Sequence, residues 1–279
     1  MVRHRGKETL ACAERQKMSR FFVSPEDIGS NLILMHNADD LHHMMKVLRL
    51  KEGDEVDVSD GVQWEYRARI ESLSKEEAEL LILDKQAFAS EPSVRVTLFQ
   101  GIPKAGKMET IIQKCVELGV YEIVPVFMDR TVVVDRGKFS KKIERWNRVS
   151  AEAVKQCRRG IVPRVAEPIK SEDLLKDSDN TGMPDRFEEF DLVLFPYENE
   201  KGSTIKDVLR QEVTKQSDAA GNKPQRIAVI IGPEGGFSDG EAMAIIGAGG
   251  RSVSLGRTIL RTETAGMAAL AMIMYELEL

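Results

Sequence analysis

RIAVIIGPEGGFS, residues 226–238, is the stretch that decides the fold class of this chain. Residues 226–231 form a β-branched apolar run, which is typical of a strand buried inside a sheet. The glycines and proline of residues 232–236 end that run and favour a tight loop whose backbone can approach a ligand closely. Ser238 can then cap a helix, with Glu241 reaching back to complete a capping box. The order strand, glycine loop, helix predicts an α/β sheet, in which the loop is either a ligand site or an ordinary connection.

The alternation of strands and helices continues through the second half of the chain. Predicted strands cover residues 94–99, 122–127, 191–195, 226–231 and 252–255, and predicted helices cover residues 107–118, 140–159, 203–216, 241–246 and 265–279. Helices packed on both faces of a mainly parallel sheet explain such an order. The predicted fold class is therefore α/β.

The first part of the chain differs, because short strand-like runs follow one another closely. These runs cover residues 20–23, 31–35, 54–58, 62–70 and 77–83. Their close spacing predicts a small β-barrel. Residues 1–17 show no clear period and are interpreted as a disordered extension or a misplaced start, and residues 85–92 as a linker to a second domain.

One helix, residues 37–50, interrupts these strands, with Asn37 as its cap. Its apolar side chains recur at helical spacing and should face inward: Leu41, Met44, Met45 and Leu48. The other side carries His42, His43, Lys46 and Arg49. These side chains either contact a phosphate backbone or simply face solvent.

Composition excludes several classes of protein. The chain has 279 residues, 42% hydrophobic and 30% charged, as expected for a globular protein of one or two domains. No apolar run approaches the ~20 residues of a membrane helix and no signal-peptide core is visible, so a cytoplasmic location is expected. Three widely spaced cysteines without a CxxC pair indicate neither disulfides nor a zinc site. The four histidines all lie within the first 43 residues, so no metal site is predicted in the second half.

The charge is distributed unevenly, although its net value is only −5. Residues 130–164 carry eleven Lys and Arg against three Asp and Glu, whereas residues 171–219 carry six against thirteen. In the first block, the predicted helix 140–159 has an apolar stripe and a basic ridge formed by Lys141, Arg145, Arg148, Lys155 and Arg159. The ridge is either a solvated helix face or, with neighbouring arginines such as Arg158, a contact surface for an RNA or DNA backbone.

Residues 101–108, GIPKAGKM, nearly satisfy the phosphate-loop pattern G-x-x-x-x-G-K-[ST]. The last position fails, because Met108 has no hydroxyl for Mg²⁺. A nucleotide-hydrolysing loop is therefore a minor alternative, and Lys104 and Lys107 are better interpreted as phosphate contacts at a helix N-terminus. No dinucleotide fingerprint and no nucleophile elbow occurs, which disfavours nicotinamide enzymes and triad hydrolases.

A second glycine turn follows the next predicted strand, in LGRTILRTETAG, residues 255–266. Its polar cluster opens an almost wholly apolar helix. Thr262 or Thr264 as a helix cap, and a pair between Arg261 and Glu263, would be an ordinary explanation. Two glycine turns after two consecutive strands are also enough to surround one adenosine-sized ligand.

These motifs resemble the RsmE family of ribosomal RNA methyltransferases in the SPOUT superfamily. The resemblance rests on IGPEGGFS (231–238), LGRTILRTETA (255–265), ELG (117–119), QCRR (156–159), SRFF (19–22) and residues 43–49. It covers nearly all of the chain after Met18, and the two C-terminal motifs together are specific. Residues 1–17 have no counterpart in the family pattern.

The resemblance implies a PUA-like β-barrel over residues 18–88 and a SPOUT methyltransferase domain with a trefoil knot over residues 92–279. It also implies S-adenosylmethionine bound in the knot, a homodimer with the site near the subunit interface, and methylation of uridine N3 in small-subunit (16S) ribosomal RNA. Strand periodicity does not predict a knot. A PUA-type RNA-binding protein without catalysis remains the main alternative, and a nucleotide-binding P-loop-like protein the lesser one.

The resemblance also assigns residues to roles. The implied cofactor contacts are Phe195, Pro196, Tyr197, Ile231, Gly232, Pro233, Glu234, Gly235, Leu255, Gly256, Ile259, Leu260, Arg261, Thr264 and Ala265. For the displacement itself we expect Arg261 to stabilise the uridine anion and Glu234 or Glu263 to accept the proton. The expected RNA contacts are Arg20, His43, Arg49, Lys104, Lys107, Arg145, Arg148, Lys155, Arg158 and Arg159.

Overall fold

The structure is a computed structural model that describes residues 19–88, 91–134, 139–174, 187–217 and 225–278. The predicted extension, residues 1–17, lies outside the described residues. The chain divides into two compact units. The N-terminal unit contains the chain up to Glu91 together with Arg158–Val162, and the C-terminal unit contains Pro92–Cys157 and Pro163–Leu279.

The N-terminal unit is a curled sheet of five short strands around its own core. The strands are β1 (Arg20–Phe22), β2 (Leu32–Met35), β3 (Glu55–Ser59), β4 (Trp64–Leu73) and β5 (Ala78–Ala87), with a 3₁₀ turn at Pro25–Asp27. Their order in the sheet is β1-β3-β4-β5-β2, with β1 parallel to β3 and the other pairs antiparallel. Inward-facing apolar residues such as Phe21, Ile33 and Val56 are almost fully buried.

The helix of this unit begins where the sequence predicts it. The Asn37 side chain accepts hydrogen bonds from the amides of Asp39 and Asp40, and α1 (Ala38–His42) follows. The helix then widens into a π-helical turn over His43–Leu48 and ends at Arg49, which has a left-handed backbone. Of the four side chains predicted to face inward, Leu41 and Met44 are buried, and Met45 and Leu48 are partly buried against the same core.

The predicted linker, residues 85–92, is wrong for its first three residues. Strand β5 continues to Ala87, because the ten-residue β4 offers pairing partners up to the Trp64–Ala87 pair. The Lys85 ammonium also lies 4.3 Å from the centre of the Trp64 ring. Shifts in the β4–β5 register interrupt the alternation from which the strand end was predicted.

The C-terminal unit is the predicted α/β sheet. Its strands are β6 (Arg95–Gly101), β7 (Glu122–Phe127), β8 (Arg164–Val165), β9 (Ile169–Lys170), β10 (Leu192–Pro196), β11 (Arg226–Ile231) and β12 (Arg251–Val253). The order is β12-β10-β11-β6-β7-β8, with β9 also pairing β7, and every described pairing is parallel. The two-residue strands β8 and β9 were not predicted, since so short a run carries no periodicity.

Helices cover this sheet: α2 (Lys107–Glu117), α3 (Phe139–Cys157), α4 (Ser171–Leu174), α5 (Ile205–Ser217), α6 (Asp239–Gly247) and α7 (Thr262–Glu278). Helix α7 packs against α2, β6 and β11. A second core joins Phe99, Phe195, Ile230, Phe237 and Ile245. No helix in the described part of the chain combines the length and the apolarity needed to cross a bilayer.

One predicted helix end is wrong, with a consequence for the basic ridge. Helix α3 ends at Cys157, because Arg158 takes a left-handed backbone with a φ of 58°. Arg159 then turns into the N-terminal unit, where it is 5% exposed and its guanidinium donates to the Glu91 carboxylate at 2.7 Å. Glu91 also accepts hydrogen bonds from the amides of Gly160 and Ile161. Arg159 is therefore a buried ion-pair residue and not part of an exposed ridge.

Candidate active site

The C-terminal ends of β10, β11 and β12 surround a cavity of about 820 Å³. A volume of this size suits a small organic ligand. Two segments form most of its wall: the first glycine loop, residues 232–238, and the second glycine loop, residues 254–261. Residues 226–238 therefore lead from a buried strand into a ligand-sized cavity.

Backbone proximity and a chain of hydrogen bonds fix the start of the first glycine loop. Gly101, at the end of β6, lies so close that a Cβ there would be 2.6 Å from the Pro233 nitrogen. The Thr262 hydroxyl donates to the Gly232 carbonyl at 2.7 Å, and the Gln100 amide donates to that hydroxyl at 2.9 Å. Gln100 and Thr262 are both buried. The sequence did not predict these two hydrogen bonds. They explain why a polar residue, Thr262, begins the apolar helix α7.

The end of the first glycine loop is held from the segment after β7. Arg130 Nη1 donates to the Gly235 carbonyl at 2.9 Å, and the Ser238 hydroxyl donates to Asp129 Oδ2 at 2.6 Å. Ser238 and Glu241 form the predicted capping box at the start of α6. The two ends of the loop are thus tied to different strands of the sheet.

Lys107, in the first turn of α2, connects the first glycine loop to the start of α7. Its Nζ lies 3.1 Å from Glu234 Oε1 on the first loop and 3.2 Å from Glu263 Oε2, just after the second loop. The contact to Glu263 lacks hydrogen-bond angles, so charge attraction is what holds it. The backbone amide of Lys104 donates to Glu234 Oε1 at 3.0 Å. We call Lys107, Glu234 and Glu263 the lysine bridge.

The three charges of the lysine bridge shift one another's pKa values. The neighbouring carboxylates of Glu234 and Glu263 raise the pKa of Lys107. Partial burial opposes ionisation of Glu234, but hydrogen bonds from its own amide, from the Lys104 amide and from Lys107 outweigh burial and lower its pKa. The pKa of Glu263 is lowered by its own backbone amide and by Lys107. At neutral pH all three groups are charged.

The phosphate-loop interpretation of residues 101–107 fails at this point. The Lys104 amide and the Lys107 ammonium would face a phosphate in such a loop, but here they hold the Glu234 carboxylate. A bound phosphate would have to displace that carboxylate, and no hydroxyl follows Lys107 to bind Mg²⁺. The Lys104 amide and the Lys107 ammonium therefore bind a carboxylate of the protein's own first glycine loop.

The second glycine loop is much more open than the first. Gly256 has a φ of 138°, where a side chain would be strained, and its amide and carbonyl bond only to the Ser254 hydroxyl among the described contacts. Arg257 and Arg261 are exposed, and Ile259 is 80% exposed although it lines the cavity. Ile259 is thus an exposed apolar side chain on the cavity wall.

A third segment, residues 197–204 after β10, completes the wall, and the sequence predicted only its first residue, Tyr197. Glu200 is fixed there by the Ser252 hydroxyl and by the amides of Gly202 and Ser203. These hydrogen bonds lower the pKa of Glu200, and the bond from Ser252 contributes most. In the sequence, the segment 197–204 is marked only by acidic residues after a strand. This pattern alone does not distinguish a cavity wall from a solvated loop.

The structure brings nearly all of the predicted cofactor residues to the cavity. The predicted residues that line it are Pro196, Tyr197, Ile231, Gly232, Pro233, Glu234, Leu255, Gly256, Ile259, Leu260, Arg261 and Ala265. Three others lie outside the wall: Phe195 is fully buried in the core, Gly235 backs onto Arg130, and Thr264 is exposed on the first turn of α7. Their contact with a cofactor remains a prediction.

The predicted RNA contacts in the N-terminal unit differ in accessibility. Arg20 is largely buried, pairing with Glu65 and donating to the Arg158 carbonyl at 2.7 Å. His43 is half-buried, whereas Arg49 and Arg158 are exposed. The last two are thus the more accessible of the predicted contacts.

In the C-terminal unit, the ridge on α3 keeps four basic residues after the loss of Arg159. Lys141, Arg148 and Lys155 are exposed. Arg145 pairs with Glu109 at 2.8 Å but keeps 69% of its side chain exposed. The ridge is therefore still a positive surface.

Comparison with known proteins identifies the family of the chain. Residues 90–274 match the family described as the RNA methyltransferase domain, and residues 37–83 match the RNA methyltransferase PUA domain. The chain is 30% identical to ribosomal RNA small subunit methyltransferase E of Bacillus subtilis, over 94% of this chain and 98% of the relative. A solved structure of ribosomal RNA small subunit methyltransferase E from Neisseria gonorrhoeae, bound to S-adenosyl methionine, has a TM-score of 0.75 and 28% identity, covering 92% of this chain and 97% of that one. A methyltransferase from Legionella pneumophila in complex with the same cofactor has a TM-score of 0.72 and 27% identity, covering 93% and 98%.

The parallel sheet with a ligand cavity at its strand ends, and the match over residues 90–274, define the chain as a member of the RNA methyltransferase class. Within that class, the chain belongs to the ribosomal RNA small subunit methyltransferase E family. The resemblance drawn from the sequence motifs is confirmed.

Proposed function

We propose that this protein transfers a methyl group from S-adenosylmethionine to N3 of a uridine in small-subunit (16S) ribosomal RNA. The observation that carries the proposal is the cavity of about 820 Å³ between the two glycine loops, in a chain of this family. The relative from Neisseria gonorrhoeae was solved with S-adenosyl methionine bound, which supports the choice of cofactor.

The residues of the cavity suit this cofactor chemically. Its wall combines apolar side chains, among them Ile231, Leu255 and Leu260, with loop backbone that can hydrogen-bond to a purine. When bound, the cofactor supplies a methyl group made electrophilic by its sulfonium. The contacts predicted from the sequence are the proposed contacts, and Phe195 and Gly235 contribute through the packing of the wall.

The chain's own residues must handle the proton and the charge of the uridine. N3 becomes a nucleophile when it loses its proton, and the exposed guanidinium of Arg261 stabilises the resulting anion. Glu234 or Glu263 accepts the proton. Their lowered pKa values keep them ionised at neutral pH, as an acceptor requires, but also make them weak bases. Charge stabilisation by Arg261 is therefore the larger contribution.

The RNA is held by basic residues of both units. In the C-terminal unit these are Lys104 and the ridge Lys141, Arg145, Arg148 and Lys155, and in the N-terminal unit Arg20, His43, Arg49 and Arg158. Arg159 is left out because its charge is neutralised by Glu91 in a buried pair. The target uridine has to leave its stack to reach the cavity.

The finer architecture belongs to the same proposal. Residues 18–88 form an RNA-binding domain whose curled sheet closes into a PUA-like β-barrel, and residues 92–279 form the methyltransferase domain. A trefoil knot in the methyltransferase domain is part of the proposal and rests on the family to which the chain belongs. A homodimer is supported by large exposed apolar side chains such as Ile259 and Tyr275. The ribosomal substrate implies a cytoplasmic location.

Two measurements test the function. Calorimetry should detect saturable binding of S-adenosylmethionine and none of ATP with Mg²⁺; binding of neither would favour a non-catalytic RNA-binding protein. Nucleoside analysis of ribosomal RNA from cells lacking the protein should show the loss of 3-methyluridine, and its persistence at full level would contradict the substrate.

The role of Arg261 has its own test. Arg261→Ala should lower turnover by about a hundredfold, as the loss of one stabilising group does, while cofactor affinity is largely kept. Unchanged turnover at saturating RNA would remove Arg261 from the mechanism.

A further inference from the structure

We propose that Lys107 is a positioning residue of the cofactor site, which holds the first glycine loop against the start of α7, directly after the second glycine loop, through Glu234 and Glu263. This inference rests on the proposed function, since it concerns the site assigned to S-adenosylmethionine. It differs from the role predicted for Lys107 from the sequence, contact with an RNA phosphate.

The geometry of the lysine bridge carries the inference. The Lys107 ammonium lies 3.1 Å from a carboxylate oxygen of Glu234 and 3.2 Å from one of Glu263. Glu234 belongs to the first glycine loop, and Glu263 lies one residue after Thr262, where the second glycine loop enters α7. One side chain from α2 therefore ties the first wall of the cavity to the helix that follows the second wall, and Lys107 itself is part of the lining.

The local charge argues against a phosphate contact. One ammonium between two carboxylates leaves the lysine bridge with a net charge of −1 when all three groups are ionised. The two carboxylates already neutralise the Lys107 ammonium, which leaves it less charge to offer a phosphate. Lys107 is also about one-third exposed, whereas an RNA contact needs a side chain that reaches the surface.

Lys104 provides a matched control three residues away in the same loop. Its side chain is exposed, and within the described ranges its ammonium forms no ion pair. Only its backbone amide contacts Glu234, and that contact survives any side-chain substitution. Lys104 is therefore the phosphate contact of this loop, and Lys107 is its positioning residue.

The test compares Lys107→Met, Lys107→Arg and Lys104→Met in the full-length protein. Affinity for S-adenosylmethionine is measured by calorimetry without RNA. Affinity for a small-subunit ribosomal RNA transcript is measured without cofactor over a range of salt concentrations. We expect Lys107→Met to bind the cofactor about fivefold more weakly, as the loss of partly exposed ion pairs predicts. Lys107→Arg should restore most of that affinity, and Lys104→Met should bind the cofactor as the wild type does.

The RNA measurement should give the opposite pattern. Lys104→Met should reduce the slope of log affinity against log salt by roughly one, as the loss of one phosphate contact does, and Lys107→Met should leave it unchanged. In turnover assays, Lys107→Met should raise KM for the cofactor.

Two results would overturn the inference. One is a Lys107→Met variant that binds S-adenosylmethionine as tightly as the wild type; the other is a drop of about one in its RNA salt slope. If Lys107→Met did not fold, Glu263→Gln would decide, since it removes one tie and should weaken cofactor binding about twofold. A wild-type protein without saturable cofactor binding would instead contradict the proposed function, so the two failures are distinguishable.

Discussion

The two glycine loops face the same cavity but are held in different ways. The first glycine loop is tied on every side: by the close approach of Gly101, by the Thr262 hydroxyl, by the lysine bridge and by Arg130. The second glycine loop is exposed along residues 256–259. The fold therefore fixes the first glycine loop, whereas the second glycine loop stays exposed until a ligand contacts it.

This difference indicates how binding energy is divided. A loop already fixed by the fold loses little conformational entropy when a ligand arrives, whereas an open loop must be ordered at that moment. Substitutions in the first loop's supports should therefore act on stability and binding together. Substitutions in the second loop should act on binding alone.

The largest loss of stability is expected at Gly101, where the backbone of β6 contacts the backbone of the first glycine loop. In Gly101→Ala, the new Cβ would lie 2.6 Å from the Pro233 nitrogen and 2.8 Å from the Gly232 carbonyl carbon, so backbone has to move. Denaturant unfolding should show a loss of about 3 kcal/mol, near the upper end for overpacking. Gly247→Ala is the control, because no atom lies within 4 Å of its Cβ position in α6, and it should be neutral or slightly stabilising. Equal stabilities for the two variants would mean that the first loop is not fixed at Gly101.

A smaller loss is expected at Thr262. Thr262→Val keeps the shape but leaves the buried Gly232 carbonyl without its donor and Gln100 without one acceptor. The free energy of unfolding should fall by about 2 kcal/mol, the cost of unpaired buried polar groups. Thr264→Val, at an exposed position in the first turn of the same helix, should change it by less than about 0.5 kcal/mol. If both variants had the same stability, the hydroxyl would not be a support of the loop.

These supports also show what the sequence could and could not predict. The strand 226–231, the capping box at Ser238 and the parallel sheet were predicted, because they depend on local periodicity and on residues three positions apart. The Gln100–Thr262 hydrogen bond and the lysine bridge join residues more than a hundred positions apart, which periodicity cannot detect. Arg159 was misassigned for a related reason: its partner, Glu91, is distant in sequence.

The second loop should respond in binding and not in stability. Ile259 is 80% exposed, so Ile259→Ser should change the free energy of unfolding by less than about 0.5 kcal/mol. Affinity for S-adenosylmethionine should nevertheless fall about fivefold, because the variant loses apolar cover for the ligand. Val62→Ser, at a residue 68% exposed in the N-terminal unit, should change neither quantity. Hydrogen exchange should show residues 256–259 gaining protection with cofactor, and equal protection of both loops without it would contradict the comparison.

The smallest effect separates the ionic ties of the first loop from its neutral ones. The pKa values of Glu234 and Glu263 are lowered from 4.5, so their contribution to stability is complete above that pH and is lost as the pH falls through the lowered values. The pKa of Lys107 is raised above 10.5, so its contribution is complete below 10.5 and is lost only above that raised value.

The thermal midpoint of the wild type should therefore exceed that of a Glu234→Gln, Glu263→Gln double variant between these limits, and the gap should close in acid. The gap should also shrink in high salt, because the bridge is partly exposed. The deficit of Thr262→Val should stay constant over the same range, since no charge is involved. A gap that persisted at a pH below the lowered pKa values of both carboxylates would mean that they support the loop through hydrogen bonds rather than through charge.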